Sequence, residues 1–185
     1  MKQIAVGATF ALAMAASAAV AAGEKPSADM VARGKDLVTH GMCHDCHTPK
    51  TFTDGKMGFD YTKELSGHQA GSPLPPVDKR ALQPGYWILG AGDLTAWVGP
   101  WGVSYAANLT PDDQTGIGLW TEDVFIKAMR TGKHMGDGRP ILPPMPYEFV
   151  GHMKDEDLKS IFAYMRSLKP IKNVVPQPVA PADVK

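Results

Sequence analysis

The sequence predicts an all-α protein in which long loops surround a small helical core. Three segments, about 27–40, 122–130 and 155–168, carry apolar residues at helical spacing. The chain has 19 glycines and 16 prolines among its 185 residues, and they concentrate between residues 67 and 146, where they interrupt regular structure. This length suits one domain with long embellishments better than two independent domains.

The first and last of these helices are predicted to pack against each other. Ser27 is a suitable N-cap for the first helix, and Gly34 lies on its apolar face, where the missing side chain lets another helix approach closely. A mid-helix glycine costs about 1 kcal/mol, so a close contact is expected to offset it. The expected partner is the last helix, which Pro170 ends and whose apolar residues have the same period: Leu158, Ile161, Phe162 and Met165.

The N-terminus predicts export. Lys2 precedes an uncharged, alanine-rich stretch at 4–20, and cleavage after Ala21 or Ala22 satisfies the preference for small residues at such a site. The expected organisation is a signal peptide at 1–22, one domain at 23–170 and an extended, Pro-rich tail at 171–185. The alternative is an uncleaved membrane anchor, for which the apolar stretch is short.

The run Cys43-His44-Asp45-Cys46-His47 contains everything needed to attach a haem covalently and to ligate its iron. Residues three apart share one face of a helical turn, so the two thiols can reach the two vinyl groups of a porphyrin. His47 then lies beneath the iron as its proximal ligand. Because the motif occurs once, the predicted cofactor is one covalently attached haem c with its iron.

A Cys-x-x-Cys pair also occurs in zinc sites and in redox-active dithiols. Cys43 and Cys46 are the only cysteines, and no second Cys/His pair has the spacing of a zinc finger. An oxidising compartment could join the two in a structural disulfide, but so short a closed loop would stabilise little. Haem attachment therefore explains the two cysteines better than any of these alternatives.

Met145 is the predicted sixth ligand of the iron. It stands in Pro143-Pro144-Met145-Pro146, where proline fixes the backbone in the extended, stiff form that suits a thioether presented to a metal. Methionine ligation favours the reduced state and simple electron transfer. The alternative is a loop whose methionine fills the core, and Met135 and Met153 are the reserve ligands. The other mature methionines are assigned to core filling, to the haem-binding turn or to a polar loop: Met30, Met42, Met57, Met129 and Met165.

Three further histidines, His68, His134 and His152, lie in predicted loops and could in principle ligate iron. Each is better explained as a surface or hydrogen-bonding residue. The 19 basic and 19 acidic residues balance, which argues against nucleic acid as a partner. Membrane association is expected only if the N-terminal segment remains uncleaved.

Taken together, these features resemble the class I cytochromes c: the first helix with Gly34, the haem-binding motif, the Met145 loop and the last helix with Tyr164. The chain is more closely similar to bacterial cytochrome c domains that carry Asn-Leu-Thr-Pro-Asp, Thr-Gly-Ile-Gly-Leu-Trp and Pro-Pro-Met-Pro-Tyr, here at 108–112, 115–120 and 143–147. Such domains occur as electron-transfer cytochromes and as cytochrome subunits of periplasmic dehydrogenases. The resemblance implies the cytochrome c fold and a periplasmic location.

Two regions around this core are harder to interpret from sequence. The stretch 51–102 is long and rich in Pro, Trp and Gly. It could cover a haem edge or form a docking face for a partner. The preferred interpretation is that it closes a small core of its own, since aromatic side chains bury surface wherever they lie. Backbone carbonyls of the loop 73–76 are candidate acceptors for the second ring nitrogen of His47. Four residues are candidates for contacts to the haem propionates or the Met145 sulfur: Asn108, Trp120, Arg139 and Tyr147.

The function expected from the sequence is outer-sphere electron transfer between redox proteins such as a dehydrogenase and an oxidase or reductase, with Cys43, Cys46, His47 and Met145 holding the haem. No acid/base constellation beside the haem can be read from the sequence, so no enzymatic activity is expected. Two alternatives stay open. One is a haem enzyme or sensor with an open sixth site, and the other is a cytochrome subunit of a periplasmic dehydrogenase.

Overall fold

The computed structural model describes residues 25–185, so the expected signal peptide at 1–22 and its membrane-anchor alternative lie outside the described residues. Five α-helices are found in this range: α1 Ala28–His40, α2 Cys43–His47, α3 Glu122–Thr131, α4 Tyr147–Gly151 and α5 Asp155–Ser167. A hairpin pairs β1 Lys50–Thr53 with β2 Lys56–Phe59, and a three-stranded antiparallel sheet has the order β3 Leu89–Gly90, β4 Ala96–Gly99, β5 Gly102–Tyr105. Across 25–185, no helix is both long and apolar enough to cross a membrane.

The three helices expected from apolar periodicity are present within one residue of their expected ends. Ser27 caps α1, where its Oγ accepts from the Met30 N–H at 3.2 Å. Thr121 caps α3 in the same way, accepting from the Val124 N–H at 3.2 Å. These caps satisfy donors that would otherwise have no partner in the first helical turn. Of the two predicted iron ligands, His47 is the last residue of the short helix α2, and Met145 lies two residues before the short helix α4.

The all-α prediction holds only roughly, because two small sheets form where the sequence predicts loops. Two glycines that predict loops in the sequence, Gly90 and Gly99, instead lie in strands and pack against tryptophan rings. A Cβ on Gly90 would lie 3.0 Å from the Trp97 ring, and one on Gly99 would lie 2.4 Å from the Trp101 ring. Each glycine thus makes room for an indole, a pairing that stabilises glycine-containing strands. The segment 51–102 contains the hairpin and most of the sheet, and Ala81 and Ala96 are buried there.

The crossing of α1 and α5 forms the centre of the fold. A Cβ added at Gly34 would lie 1.8 Å from the carbonyl oxygen of Ser160 and 2.8 Å from the Cβ of Tyr164. The close approach predicted at Gly34 is therefore confirmed, and α5 is the partner helix. Fully buried side chains gather around this crossing, among them Val38, Leu65, Leu158 and Met165.

The C-terminal tail is extended, apart from one short helical turn at Pro181–Asp183, and it packs along the domain. Val179 pairs with Val103 of β5 through two backbone hydrogen bonds, at 2.9 and 3.0 Å. Asn173 is buried further back along the tail. Strand β5 is thereby held on one side by β4 and on the other by the tail.

Candidate functional site

The haem-binding motif forms the short helix α2, and both of its thiols are free. Burial raises the pKa of the Cys43 thiol to about 11 and also raises the pKa of Cys46. Redox-active Cys-x-x-Cys pairs depend on a depressed thiol pKa. The direction found here disfavours a dithiol redox centre and fits cysteines that are consumed in permanent bonds.

His47 is buried, and its ring is oriented by a single contact. Nδ1 lies 2.8 Å from the backbone carbonyl of Ala107. A carbonyl can only accept, so Nδ1 carries the proton and the lone pair of Nε2 is left available to a metal. Burial lowers the pKa of the ring, which keeps it in the neutral form that ligation requires.

The acceptor of His47 differs from the sequence-based candidate. The loop 73–76 lies instead against the three-stranded sheet, beside Ala96 and Val103. Ala107 reaches His47 because Gly67 lets two backbone segments touch: the Gly67 N–H donates to the His47 carbonyl at 2.8 Å, and a Cβ on Gly67 would lie 2.4 Å from the Ala106 oxygen. No local pattern pairs His47 with a residue 60 positions away.

An apolar cavity lies beside α2. Cys43, His47 and Met145 all line it, and Cys46 lines an adjoining cavity that shares those three residues. The other walls are mostly aliphatic and aromatic and include Leu37, Val38, Leu109, Phe125 and Ile161. Two free thiols, an imidazole with an available nitrogen and a thioether are thus brought to one apolar space. This donor set and lining fit a covalently attached haem.

Several methionines reach this space. Met129, Met153 and Met165 line the same cavity as Met145, and Met42 lines the adjoining one. Met129 and Met165 are buried in the helical core, as core filling predicts. Met135 is nearly half exposed and lines neither cavity. Of the two reserve ligands, Met153 is therefore the competitor to Met145.

Of the three other candidate histidines, two make hydrogen-bonding contacts away from the cavity and one lines it. His68 is 2% exposed and its Nδ1 lies 2.7 Å from Thr95 Oγ1, while His152 contacts the Glu148 carbonyl at 2.6 Å. His134 lines the cavity and packs its ring against Trp120, with 5.2 Å between ring centroids. Burial and the neighbouring Arg139 lower the His134 pKa.

Two of the four candidates for haem contacts line the cavity, and the other two make contacts elsewhere. Trp120 and Arg139 line the cavity. Asn108 is a loop anchor, because its Nδ2 donates to Thr115 Oγ1 at 3.1 Å and to the Ile171 carbonyl at 2.8 Å. Tyr147 packs against Gly132, where an added Cβ would meet its ring at 2.2 Å.

Glu64 contacts the haem-binding turn from outside the two cavities, and sequence reasoning missed it. Its Oε1 accepts from the Tyr164 hydroxyl at 2.5 Å and lies 3.8 Å from Nε2 of His44. The opposite ring nitrogen of His44 contacts Thr48 Oγ1 at 2.9 Å. This network connects α2 to α5 through Glu64, which lies 100 positions before Tyr164, a separation that leaves no signal in local patterns.

Known proteins similar to this chain include subunits of dehydrogenases. A nicotinate dehydrogenase subunit of Pseudomonas putida is 31% identical over 150 residues, which cover 81% of this chain and 10% of that protein. The fructose dehydrogenase cytochrome subunit of Gluconobacter japonicus is 40% identical over 83 residues, 44% of this chain and 17% of that protein. The gluconate 2-dehydrogenase cytochrome c subunit of Pantoea cypripedii is 41% identical over 73 residues, 39% of this chain and 16% of that protein.

These matches cover only part of each relative. The chain spans between about a tenth and a quarter of the length of the curated relatives it matches. No protein-family model matches it. Most of these relatives are named as cytochrome subunits, and the alcohol and gluconate dehydrogenase relatives are named as cytochrome c subunits. The chain is thus similar to cytochrome c subunits of dehydrogenases, which supports its assignment to a cytochrome c-like family.

Proposed function

We propose that this chain is an exported, monohaem c-type cytochrome that carries single electrons between redox partners. The observation that carries the proposal is the meeting of Cys43, His47 and Met145 on one apolar cavity, with Cys46 on the adjoining wall. The similarity to cytochrome c subunits supports the same assignment.

Each of these residues has a distinct task in the proposal. Cys43 and Cys46 form thioether bonds to the porphyrin, and His47 and Met145 ligate the iron. When bound, haem c supplies a one-electron couple at that iron. The Ala107 carbonyl keeps the His47 Nδ1 proton in place and so fixes which ring nitrogen faces the metal. The apolar walls exclude water, which favours the less charged, reduced state.

The second candidate function is that of a cytochrome subunit in a larger dehydrogenase. It is favoured by the names of the relatives, which describe subunits of nicotinate, fructose, alcohol and gluconate dehydrogenases. In that case, the electron donor is a catalytic chain, and the acceptor is a further redox protein. Copurification with a dehydrogenase chain after expression in the native host distinguishes a bound subunit from a free carrier.

The proposed location is the periplasm. The segment 1–22 directs export and is then cleaved from the mature protein. The alanine-rich stretch at 4–20 and the small residues at 21 and 22 support export. N-terminal sequencing of the mature protein tests this directly. A new N-terminus near Gly23 supports export, and an intact Met1 in a membrane fraction contradicts it.

The proposal is tested on the exported holoprotein by measuring haem content, attachment and electron number. We expect one haem per chain, resistance to extraction by acidified acetone, and a reversible one-electron titration. The double variant Cys43→Ala/Cys46→Ala should release its haem to acidified acetone because both thioether bonds are lost, whereas Cys46→Ala should retain its haem through the bond to Cys43. Ser160→Ala, on α5, is a control that changes no haem-binding residue. Haem that is extracted completely from the wild type would contradict the proposal.

A further inference from the structure

Ser104 occupies an unusual place between strand β5 and the Met145 loop. Its side chain is buried, and its hydroxyl donates to the Pro143 carbonyl at 2.6 Å. The same oxygen accepts from the Trp101 indole N–H at 3.1 Å. Both of its hydrogen-bonding functions are therefore used, and they join the sheet to a residue two positions before Met145.

The Met145 loop has few other means of holding its position. Pro143, Pro144 and Pro146 have no N–H to donate, so the loop depends on its carbonyl groups for hydrogen bonds to neighbouring segments. The Met145 N–H makes only a local contact, to the Leu142 carbonyl at 3.3 Å. A donor from outside the loop must therefore supply the external attachment, and Ser104 does so at a short distance.

Strand β5 is a firm anchor for such a donor. Ser104 lies opposite Trp97 of β4 in the sheet register. On the other edge, the adjacent residue Val103 exchanges two backbone hydrogen bonds with Val179 of the tail. Because β5 is paired on both sides, it cannot shift easily. The hydrogen bond from Ser104 therefore holds the Pro143 carbonyl in a fixed position relative to the sheet.

We propose that Ser104 is a positioning residue for the Met145 thioether, which it holds at the cavity by fixing the Pro143 carbonyl. The inference rests on the proposed function, in which Met145 ligates iron. Ser104 acts through the loop and needs no contact with the metal. Without its hydroxyl, the loop should open more often, and Met145 should dissociate more readily from the iron while remaining able to bind.

The test is the rate at which cyanide binds the ferric holoprotein, because cyanide must wait for Met145 to leave. Ser104→Ala should bind cyanide about tenfold faster, the factor expected from one lost hydrogen bond. Ser104→Thr retains the hydroxyl and should restore the slow rate. Trp101→Phe, which removes the indole donor together with part of the ring that packs against Gly99, should shift the rate in the same direction by a smaller factor.

Ser160→Ala is the matched control, since Ser160 is equally buried and its hydroxyl donates to the Glu156 carbonyl at 2.8 Å, within α5. It should bind cyanide at the wild-type rate. Equal acceleration in Ser104→Ala and Ser160→Ala, or none in Ser104→Ala and Trp101→Phe, would overturn the inference alone. A wild type without the sulfur-to-iron charge-transfer band would instead overturn the Met145 assignment, and the role of Ser104 with it.

Discussion

At the scale of residues, burial sets the protonation of His68. His68 has its Nδ1 against Thr95 Oγ1, and that hydroxyl in turn donates to Asp93 at 2.8 Å. Burial lowers the pKa of His68, and the nearby Asp93 carboxylate only partly opposes this. The folded protein therefore holds His68 neutral at pH values where the unfolded chain binds a proton.

This difference in proton binding predicts a loss of stability in acid. Because the pKa of His68 is lower in the folded state, stability is fully present above the unfolded value of about 6.5 and falls as the pH drops below it. The melting temperature of the wild type should fall between pH 7 and pH 5. In His68→Gln this fall should be smaller. The melting temperature of the variant at pH 7 should itself be lower, because the buried contact of the His68 ring with Thr95 is lost.

The control for the acid prediction is His40→Gln. His40 lies at the exposed end of α1, where its ring contacts the Asp36 carbonyl at 2.7 Å. This variant makes the same substitution at an exposed histidine and leaves the contact between His68 and Thr95 intact. An equal fall in melting temperature for His68→Gln and the wild type would contradict the role assigned to His68.

At the scale of elements, the contact between α1 and α5 depends on a single missing side chain. Gly34 lets the backbone of Ser160 approach so closely that any Cβ at position 34 must force the helices apart. The helix α5 also carries Tyr164, whose hydroxyl reaches Glu64. Separating the helices would therefore disturb both the core and the network beside the haem-binding turn.

We predict that Gly34→Ala destabilises the protein by about 3 kcal/mol, the upper range for overpacking a tight contact. Chemical denaturation monitored by circular dichroism measures this change. Gly58→Ala is the control, because the nearest atom to its added Cβ is Thr51 Oγ1 at 4.0 Å. It should change stability by less than about 0.5 kcal/mol. A similar small effect at Gly34 would show that the helices can separate without cost.

At the scale of the whole molecule, the C-terminal tail joins regions that are distant in sequence. Asn173 is buried, and its Nδ2 donates to the carbonyls of Ser66 and His68 at 2.7 and 2.9 Å. Its Oδ1 accepts from the Ala70 N–H at 2.9 Å. The segment that it fixes follows Leu65 and leads through Gly67 to the backbone around His47.

Removal of this amide should be costly. Asn173→Ala removes the partner of two buried carbonyls, those of Ser66 and His68, and of the N–H of the exposed residue Ala70, so we expect a loss of about 3 kcal/mol in the free energy of unfolding. Gln177→Ala, in an exposed part of the same tail, should have little effect. Urea titrations of the two variants against the wild type provide the comparison, and equal stabilities would contradict the role of Asn173.

Sequence reasoning succeeded where the signal is local. Apolar periodicity, the cap at Ser27 and the small residue at Gly34 were enough to locate three helices and one crossing. It failed where the structure depends on distant pairs. The carbonyl of Ala107 lies 60 positions from His47, and the carboxylate of Glu64 lies 100 positions from Tyr164. No periodicity encodes such pairs.

The candidate ligands show the same division. Cys43, Cys46 and His47 are set by one short motif, and they form one helical turn. Met145 depends on a loop that must fold back to the cavity, where Met153 is also present. Composition alone cannot rank two methionines on one cavity wall, so the choice between them requires a direct measurement on the iron.

The most direct test of the account is the ferric optical spectrum of the holoprotein, in which methionine ligation gives a long-wavelength sulfur-to-iron charge-transfer band. We predict that the wild type has this band, that Met145→Ala loses it, and that Met153→Ala, from the same cavity, retains it. A high-spin ferric wild type whose spectrum shifts on adding cyanide, and whose reduced form binds carbon monoxide, would contradict the account and indicate an open sixth site. Loss of the band in Met153→Ala alone would assign the ligand to Met153.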